Sequence, residues 1–124
     1  MQTKSLDILL EEANKQIKRL SFDESLEMIK NKNTIIVDVR EESEVISLGV
    51  IKNAIHIPRG LIEFKLSPHS PNNPNGIDQN TNFLIYCAGG YRSALAAKTL
   101  SDLGFTNVYN IGGYQEWIDN GGDI

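Results

Sequence analysis

The sequence has very few of the residues from which disulfides and metal centres are built. Its 124 residues include one cysteine, Cys87, and two histidines, His56 and His69. One cysteine cannot form an internal disulfide, and it supplies too few thiolates for a zinc site. The two histidines do not complete a cluster of metal ligands. We therefore expect neither a metal ion nor any other cofactor.

The sequence also lacks a long apolar run and an excess of positive charge. No segment has the length and apolarity of a transmembrane helix. The 12 basic and 16 acidic residues give a net charge of -4, which argues against nucleic acid and membrane partners. Asp7, Glu11 and Glu12 lie near the N-terminus, where no cleavage site of small residues is present. We therefore expect no secretory or transit signal and a cytoplasmic protein, because a free thiol is stable in that compartment.

What is present has the composition of one folded domain. Hydrophobic residues make up 40% of the chain and charged residues 23%, and a chain of 124 residues fits a single core. Residues 67–82 are rich in proline and asparagine. We predict a long surface loop there and not a domain linker, because a core-forming strand resumes at Phe83.

Segments typical of strands alternate with segments typical of helices along the chain. Four strands are predicted, over residues 34–39, 54–57, 83–86 and 108–111. Helices are predicted over residues 4–20, 41–49, 61–66 and 92–103. A further helix begins at residue 21, and a final helix runs from 113 through 117. No tight hairpin signal separates two of the strand-like runs. This alternation predicts a parallel sheet with helices on both of its faces.

The first predicted helix, residues 4–20, is amphipathic, with apolar residues at spacings of three and four. Such a face either packs against the body of the domain or binds a partner or a second copy. Ser21 and Glu24 then have the spacing of a capping box, which predicts that a second helix begins there. The predicted buried face of that helix consists of Phe22, Leu26 and Ile29.

The β-branched run 34–39 is typical of a strand that is covered on both faces. Arg40 follows it, and a short helix is predicted to end at Gly49. Arg40 and Glu44 have the spacing of a helical ion pair, in its weaker orientation, if both lie in that helix. Residues 54–57 are predicted to form a second central strand, which ends because Pro58 has no N–H group to donate.

The stretch Tyr86–Ser93 brings the cysteine to the start of a helix. A strand-like run ends at Cys87, Gly89 and Gly90 allow a tight turn, and a helical pattern begins at Arg92. The free N–H groups of a helix N-terminus favour an anion, and they lower a cysteine pKa from about 8.5 to roughly 3.5–7.5. A lone intracellular cysteine is otherwise most often a small buried hydrophobe. The turn, the glycines and the arginine favour a reactive thiolate over that alternative.

Taken together, these residues resemble the single-domain rhodanese family. The similarity extends over roughly residues 21 to 120. The residues that carry it are Val37-Asp38-Val39-Arg40 with Glu44, Gly49, Ile51, Ala54, Ile57-Pro58, Tyr86-Cys87-Ala88-Gly89-Gly90-Tyr91-Arg92-Ser93-Ala94, Gly104-Phe105, Gly112-Gly113-Tyr114 and Trp117. The chain departs from the family pattern at Val50, where the family usually has histidine, and at Asn53, where it usually has glycine.

The resemblance implies a three-layer α/β/α fold with a central, mainly parallel sheet of about five strands. It divides the chain into an N-terminal helical extension, residues 1–20, and a rhodanese-like domain, residues 21–124. It implies that Cys87 is the catalytic nucleophile and that Asp38 and Arg40 support the site. The implied substrate-binding loop consists of Ala88, Gly89, Gly90, Tyr91, Arg92 and Ser93.

The implied activity is sulfur transfer through a cysteine persulfide. Cys87 takes a sulfane sulfur from an anion such as thiosulfate, and cyanide or a thiol accepts it. A protein partner is an alternative donor or acceptor, which would make the domain a sulfur carrier or a binding module. Arg92 either adds positive charge to the site or points outward to pair with a glutamate.

A cysteine-dependent phosphatase or arsenate reductase is a rival interpretation. Such enzymes also place a cysteine and an arginine in an anion-binding loop, but their loop is longer. Here only four residues, 88–91, separate Cys87 from Arg92. A smaller ring of amides fits a single sulfur atom better than a tetrahedral oxyanion.

Overall fold

A computed structural model describes residues 2–74 and 76–124 of the chain. Five strands in these residues form one parallel sheet in the order β1-β5-β4-β2-β3: β1 (Lys18–Arg19), β2 (Thr34–Asp38), β3 (Ile55–His56), β4 (Asn82–Cys87) and β5 (Asn107–Gly113). The helices are α1 (Leu6–Gln16), α2 (Phe22–Ile29), α3 (Glu42–Leu48), α4 (Ile62–Leu66), α5 (Tyr91–Asp102) and α6 (Tyr114–Asp119), and a short 3₁₀ helix, Arg59–Leu61, precedes α4.

The central strand β4 is buried on both faces, as the predicted parallel sheet requires. Side chains alternate along it, so Phe83 and Ile85 face one side and Leu84 and Tyr86 face the other. The first pair packs in a cluster with α4 and α5, and the second pair packs in a cluster with α6. Helices therefore cover both faces of the sheet, and the three-layer α/β/α fold is confirmed.

The first helix is shorter than predicted. It ends at Gln16, and Ile17 already has the extended dihedral angles φ -110° and ψ 127°. The chain continues as β1, which pairs with Tyr109 and Asn110 of β5. The prediction of helix through residue 20 is wrong. Two strand residues are too few to show a period of two, and the buried residues on either side, Ile17 and Leu20, also have a helical spacing of three.

Helix α1 packs against α5 through its C-terminal end. Gln16 Nε2 donates hydrogen bonds to Ser101 Oγ at 3.1 Å and to Asp102 Oδ1 at 2.8 Å, and Ala13 is fully buried. Leu6 and Ile8, in the first turn, are exposed. The helix is thus part of the folded body, while its N-terminal end carries uncovered apolar residues.

Helix α2 begins with the predicted capping box. Ser21 Oγ accepts a hydrogen bond from the Glu24 amide at 3.1 Å, and the Glu24 carboxylate accepts one from the Ser21 amide at 3.0 Å. Phe22 packs edge-to-face on Trp117, with ring centroids 4.9 Å apart. Leu26 is 41% exposed, so its assignment to the buried face is wrong. Ser25 is the buried residue of this helix, because its hydroxyl bonds back to the Ser21 carbonyl at 2.8 Å.

Strand β3 lies at the edge of the sheet and not at its centre. It consists of Ile55 and His56, which pair only with Val37 and Asp38 of β2, and both are partly exposed. Its apolar sequence suggested a central strand. Edge and central positions differ in their neighbours across the sheet, which the sequence of one strand does not specify.

Helix α5 ends in the termination that the sequence predicts. Gly104 has φ +107°, the Phe105 amide donates to the Leu100 carbonyl at 3.3 Å, and the Gly104 amide donates to the Ser101 carbonyl at 3.0 Å. These two hydrogen bonds define a Schellman motif, in which the left-handed residue after the helix is glycine. The end of α5 is therefore fixed by local sequence.

The predicted loop before β4 contains turns but no helix or strand in its described residues, 67–74 and 76–81. Its last residues are anchored next to β2, since Asn33 Nδ2 donates to the Asn80 carbonyl at 2.9 Å and Asn82 N donates to the Asn33 carbonyl at 2.8 Å. Across the described ranges, every helix is too short or too polar to cross a bilayer.

Candidate active site

The Cys87 sulfur lies inside a turn between β4 and α5. The Gly90 amide donates to Sγ at 3.0 Å, and the Ser93 amide donates to it at 3.4 Å. Gly90 makes this possible with φ +92° and ψ -1°, a left-handed conformation that glycine adopts without steric cost. The predicted convergence of amides on the sulfur is confirmed for these two residues, and the thiol is 1% exposed.

Two opposing effects act on the thiol. Burial of the sulfur raises the pKa of Cys87, because burial penalises the charged form. The Ser93 hydroxyl and the amides of Ser93, Gly89 and Gly90 lower it by hydrogen bonding to the thiolate. The net pKa of the Cys87 thiol lies below its ordinary value, as expected at the N-terminus of a helix.

Arg92 pairs with Glu44 of α3. Its Nη1 lies 2.7 Å from Glu44 Oε2 and its Nη2 lies 2.9 Å from Oε1, a bidentate geometry. The hydrogen bonds from Arg92 lower the pKa of Glu44 to about 2. Those bonds, and to a smaller extent the nearby Cys87 sulfur, raise the pKa of Arg92 above its ordinary value. Arg92 thus pairs with a glutamate, which is one of the two arrangements that the sequence allowed for it.

The other two predicted residues, Asp38 and Arg40, form a buried ion pair. Arg40 Nη2 lies 2.6 Å from Asp38 Oδ2 and 2.6 Å from the Gly49 carbonyl oxygen, and its guanidinium stands 4.2 Å from the Tyr114 ring centroid. Burial lowers the pKa of Arg40, but Asp38 more than offsets this and the net direction is upward. Arg40 and Glu44 do not pair, because the condition for it is not met: Arg40 precedes α3 and turns back into the core.

The Asp38–Arg40 pair fixes the chain before and after α3. Asp38 Oδ1 also accepts the Arg40 amide at 2.9 Å, and Gly49 is the residue that ends α3. None of the hydrogen bonds described for either residue reaches Cys87. The pair therefore holds the chain at the two ends of α3, the helix that carries Glu44.

Asn110, a residue not predicted from the sequence, ties the cysteine loop to β5. Its side chain is buried, and Nδ2 donates to the Gly90 carbonyl at 3.0 Å. Its Oδ1 accepts the Gly112 amide at 3.0 Å and the Ser93 hydroxyl at 2.8 Å. The signal that was available is a polar residue inside an otherwise apolar strand.

The outer side of the loop is open to solvent. Ala88 and Gly89 are exposed, and the Tyr91 side chain is 68% exposed. A Cβ atom on Gly90 would lie 3.4 Å from Gly112 Cα and 3.7 Å from Arg19 Nη1. A side chain there would therefore point toward β5.

Comparison with known proteins identifies the family of this chain. The model of the rhodanese-like domain family matches residues 21–120. The chain belongs to the rhodanese-like domain family. This domain is 32% identical over 101 residues to the thiosulfate sulfurtransferase GlpE of Coxiella burnetii, an alignment that covers 81% of this chain and 86% of that protein.

Two further proteins that are similar to this rhodanese-like domain are not described as sulfurtransferases. It is 34% identical over 101 residues to a tRNA uridine(34) hydroxylase of Prochlorococcus marinus, covering 75% of this chain but only 31% of that protein. A solved structure from Rhodopseudomonas palustris, described as a protein of unknown function and possible tyrosine phosphatase, is 37% identical with a TM-score of 0.88. That match covers 100% of this chain and 96% of the other.

The rhodanese-like domain accommodates its departure from the family glycine at Asn53. Asn53 has φ +67°, in the left-handed region. Asparagine enters this region more readily than most residues that carry a Cβ atom. The turn before β3 therefore keeps the conformation that glycine would allow.

Proposed function

We propose that this domain is a sulfurtransferase in which Cys87 carries the transferred sulfur as a persulfide. The observation that carries the proposal is the pair of amides, Gly90 and Ser93, that donate to Sγ at the start of α5. This arrangement stabilises a sulfur anion, and both the attacking thiolate and the persulfide are sulfur anions. The thiosulfate sulfurtransferase among its relatives supports the same reaction.

In the first half-reaction, the Cys87 thiolate attacks the outer sulfur of thiosulfate. A new S–S bond forms at Sγ, the S–S bond of thiosulfate breaks, and its electron pair leaves with sulfite. The terminal sulfur of the persulfide then carries the negative charge. The Gly90 and Ser93 amides remain on Sγ, so the terminal sulfur is proposed to face the other N–H groups of the loop, residues 88–93.

In the second half-reaction, an acceptor attacks the terminal sulfur of the persulfide. Cyanide becomes thiocyanate, a thiolate becomes a persulfide, and in both cases the electron pair of the broken S–S bond returns to Sγ of Cys87. The thiolate is restored and no cofactor is consumed. A covalent intermediate between two half-reactions predicts ping-pong kinetics.

Arg92 contributes charge to the proposed site. The Arg92 side chain is 36% exposed, and its guanidinium hydrogen-bonds the Glu44 carboxylate. The carboxylate holds this cation in place and partly neutralises it, so Arg92 acts through its remaining charge and not as a hydrogen-bond donor to the substrate. The proposed substrate-binding residues are therefore those of the loop, Ala88 to Ser93, with Arg92 as the charged member.

A phosphatase is the alternative that one of the structural relatives brings forward, since that protein is described as a possible tyrosine phosphatase. The contacts of the loop argue against it. The Gly90 amide already reaches Sγ at 3.0 Å, and the Arg92 guanidinium is directed at Glu44. A phosphatase needs these donors for the oxygens of a bound phosphate.

Steady-state formation of thiocyanate from thiosulfate and cyanide tests the proposal. The parent protein is expected to turn over with parallel double-reciprocal plots, and Cys87→Ser is expected to have no activity. An aryl phosphate assayed in parallel is expected to remain intact. Phosphate release that Cys87→Ser abolishes would replace the proposal with the phosphatase.

The same assay separates an enzyme from a sulfur carrier. A carrier would load sulfur from thiosulfate but pass it to cyanide no faster than a low-molecular-weight persulfide does. Fast turnover excludes a strict carrier that exchanges sulfur only with protein partners. Slow turnover of a fully loaded protein would contradict the enzyme and favour the carrier.

A further inference from the structure

The orientation of the Asn110 side-chain amide is fixed by the backbone on both sides. The Gly112 N–H group can only donate, so the atom that faces it at 3.0 Å is Oδ1. The Gly90 carbonyl can only accept, so the atom that faces it at 3.0 Å is Nδ2. Flipping the amide would break both hydrogen bonds, which leaves a single assignment.

This assignment determines where the hydrogen of the Ser93 hydroxyl lies. Ser93 Oγ is 2.8 Å from Asn110 Oδ1, and a carbonyl oxygen only accepts. The hydroxyl has one hydrogen, which it must donate to Asn110. Ser93 Oγ is therefore an acceptor toward its other neighbour, the Cys87 sulfur at 3.4 Å.

From this geometry we propose that Asn110 is a positioning residue that competes with the Cys87 sulfur for the Ser93 hydroxyl hydrogen. In the resting protein the Cys87 S–H group donates to Ser93 Oγ, and Ser93 donates to Asn110. When the thiol ionises, its proton leaves to solvent and the Ser93 hydroxyl turns from Asn110 to the thiolate. Asn110 keeps its bond from Gly112, so the exchange costs one hydrogen bond and forms another.

The consequence is that Asn110 lowers the fraction of Cys87 that is ionised. The Gly90 and Ser93 amides favour the thiolate, but the Ser93 hydroxyl donates to Asn110 and not to the sulfur until the thiol has lost its proton. Removing the Asn110 carbonyl frees the Ser93 hydroxyl for the sulfur and increases the thiolate fraction. The value of this for catalysis rests on the proposed function, but the hydrogen-bond exchange itself does not.

Three ion pairs surround the loop on the neighbouring elements: Arg92 with Glu44, Asp38 with Arg40, and Arg19 with Glu116. None of the hydrogen bonds described for Ser93 or Asn110 involves these side chains, so we expect all three pairs to stay in place when either residue is replaced. Their effect on the thiol is therefore common to every variant of a double-mutant cycle and cancels in the comparison.

The cycle compares the parent, Asn110→Leu, Ser93→Ala and the double variant, with the pKa of Cys87 read from the pH dependence of iodoacetamide alkylation. Leucine has nearly the size of asparagine but no hydrogen-bonding group. We expect Asn110→Leu to increase the ratio of thiolate to thiol by roughly three- to tenfold at a given pH. In the Ser93→Ala background it is expected to give no such increase.

A fall in that ratio on Asn110→Leu, or the same rise in both backgrounds, would overturn the proposal. If Asn110 only held the loop in place through Gly90, its replacement would lower the ratio of thiolate to thiol or change it equally in both backgrounds. Sulfur loading by thiosulfate, measured on the same proteins, is a separate readout. A parent that loads no sulfur would refute the proposed function and leave the order of the alkylation pKa values unaffected.

A second measurement does not require Asn110→Leu to fold. Cys87 is the only cysteine in the sequence, so the infrared S–H stretching band of the reduced protein belongs to it alone. Below the thiol pKa, we expect the parent band at lower wavenumber than that of Ser93→Ala, because a donated S–H bond is weakened. Identical bands would show that the thiol does not donate to Ser93 and would overturn the proposal.

Discussion

The Glu44 carboxylate accepts two hydrogen bonds from the Arg92 guanidinium and so connects the start of α3 to the start of α5. Glu44 Oε2 also accepts the Glu41 amide at 2.8 Å, which caps α3. One side chain therefore orders a helix terminus and the cation beside the cysteine loop. Its loss is expected to affect both stability and the charge near the sulfur.

The pairing makes stability depend on pH in a defined window. The folded pKa of Glu44 is about 2, against 4.5 for the unpaired group. The stabilisation is therefore fully present above pH 4.5 and is lost as the pH falls toward 2. Because the pair is partly exposed, we expect Glu44→Gln to lower the free energy of unfolding by only about 1 kcal/mol at pH 7.

Urea unfolding of the parent and the variant at several pH values measures this difference. The gap between them is expected to close as the pH falls through the window. Glu42→Gln is the matched control, since Glu42 is in the same first turn and exposed. An equal gap for both variants, or a gap independent of pH, would contradict the account of Glu44.

The Asp38–Arg40 pair is expected to matter more for folding than for chemistry. Both side chains are completely buried, so Asp38→Ala leaves a guanidinium without its counter-charge in the core. Removing one partner of such a pair costs about 3–5 kcal/mol. Denaturant unfolding measures the loss, and Asp23→Ala, at an exposed position in α2, is the control. If Asp38→Ala lowered the free energy of unfolding by less than Asp23→Ala does, Arg40 would have found another partner.

Gly90 and Gly89 provide a matched pair for the geometry of the loop. Gly90 has φ +92°, so Gly90→Ala forces a side chain into a strained conformation and moves the amide that faces Sγ. In Gly89→Ala, the added Cβ atom would meet only the Tyr91 ring at 3.5 Å, an ordinary contact. We expect Gly90→Ala to raise the pKa of Cys87 and to slow its alkylation at neutral pH, and Gly89→Ala to leave both unchanged. Equal effects of the two variants would refute the role given to the Gly90 amide.

The parts of this fold that are encoded locally could be predicted from the sequence. The turn after β4, the capping box of α2 and the glycine that ends α5 each depend on a few consecutive residues, and each is found where it was expected. The alternation of strands and helices likewise predicted the layers of the sheet. Local hydrogen bonds and periodicity are sufficient for these features.

The features that were missed depend on contacts between distant segments. Glu44 pairs with Arg92, which lies 48 residues further along the chain, and the spacing of residues 40 and 44 cannot reveal this. Asn110 reaches the loop because it pairs with Ile85, which places its side chain on the face of the sheet that also carries Cys87. This pairing depends on the register of the sheet, which the sequence of one strand does not show.

The intact mass of the protein after incubation with thiosulfate tests the central claim most directly. The parent is expected to gain the mass of one sulfur atom and to lose it again on addition of cyanide, while Cys87→Ser gains nothing. A parent that gains no sulfur, or a Cys87→Ser variant that gains as much as the parent, would contradict the assignment of Cys87 as the sulfur carrier of this domain.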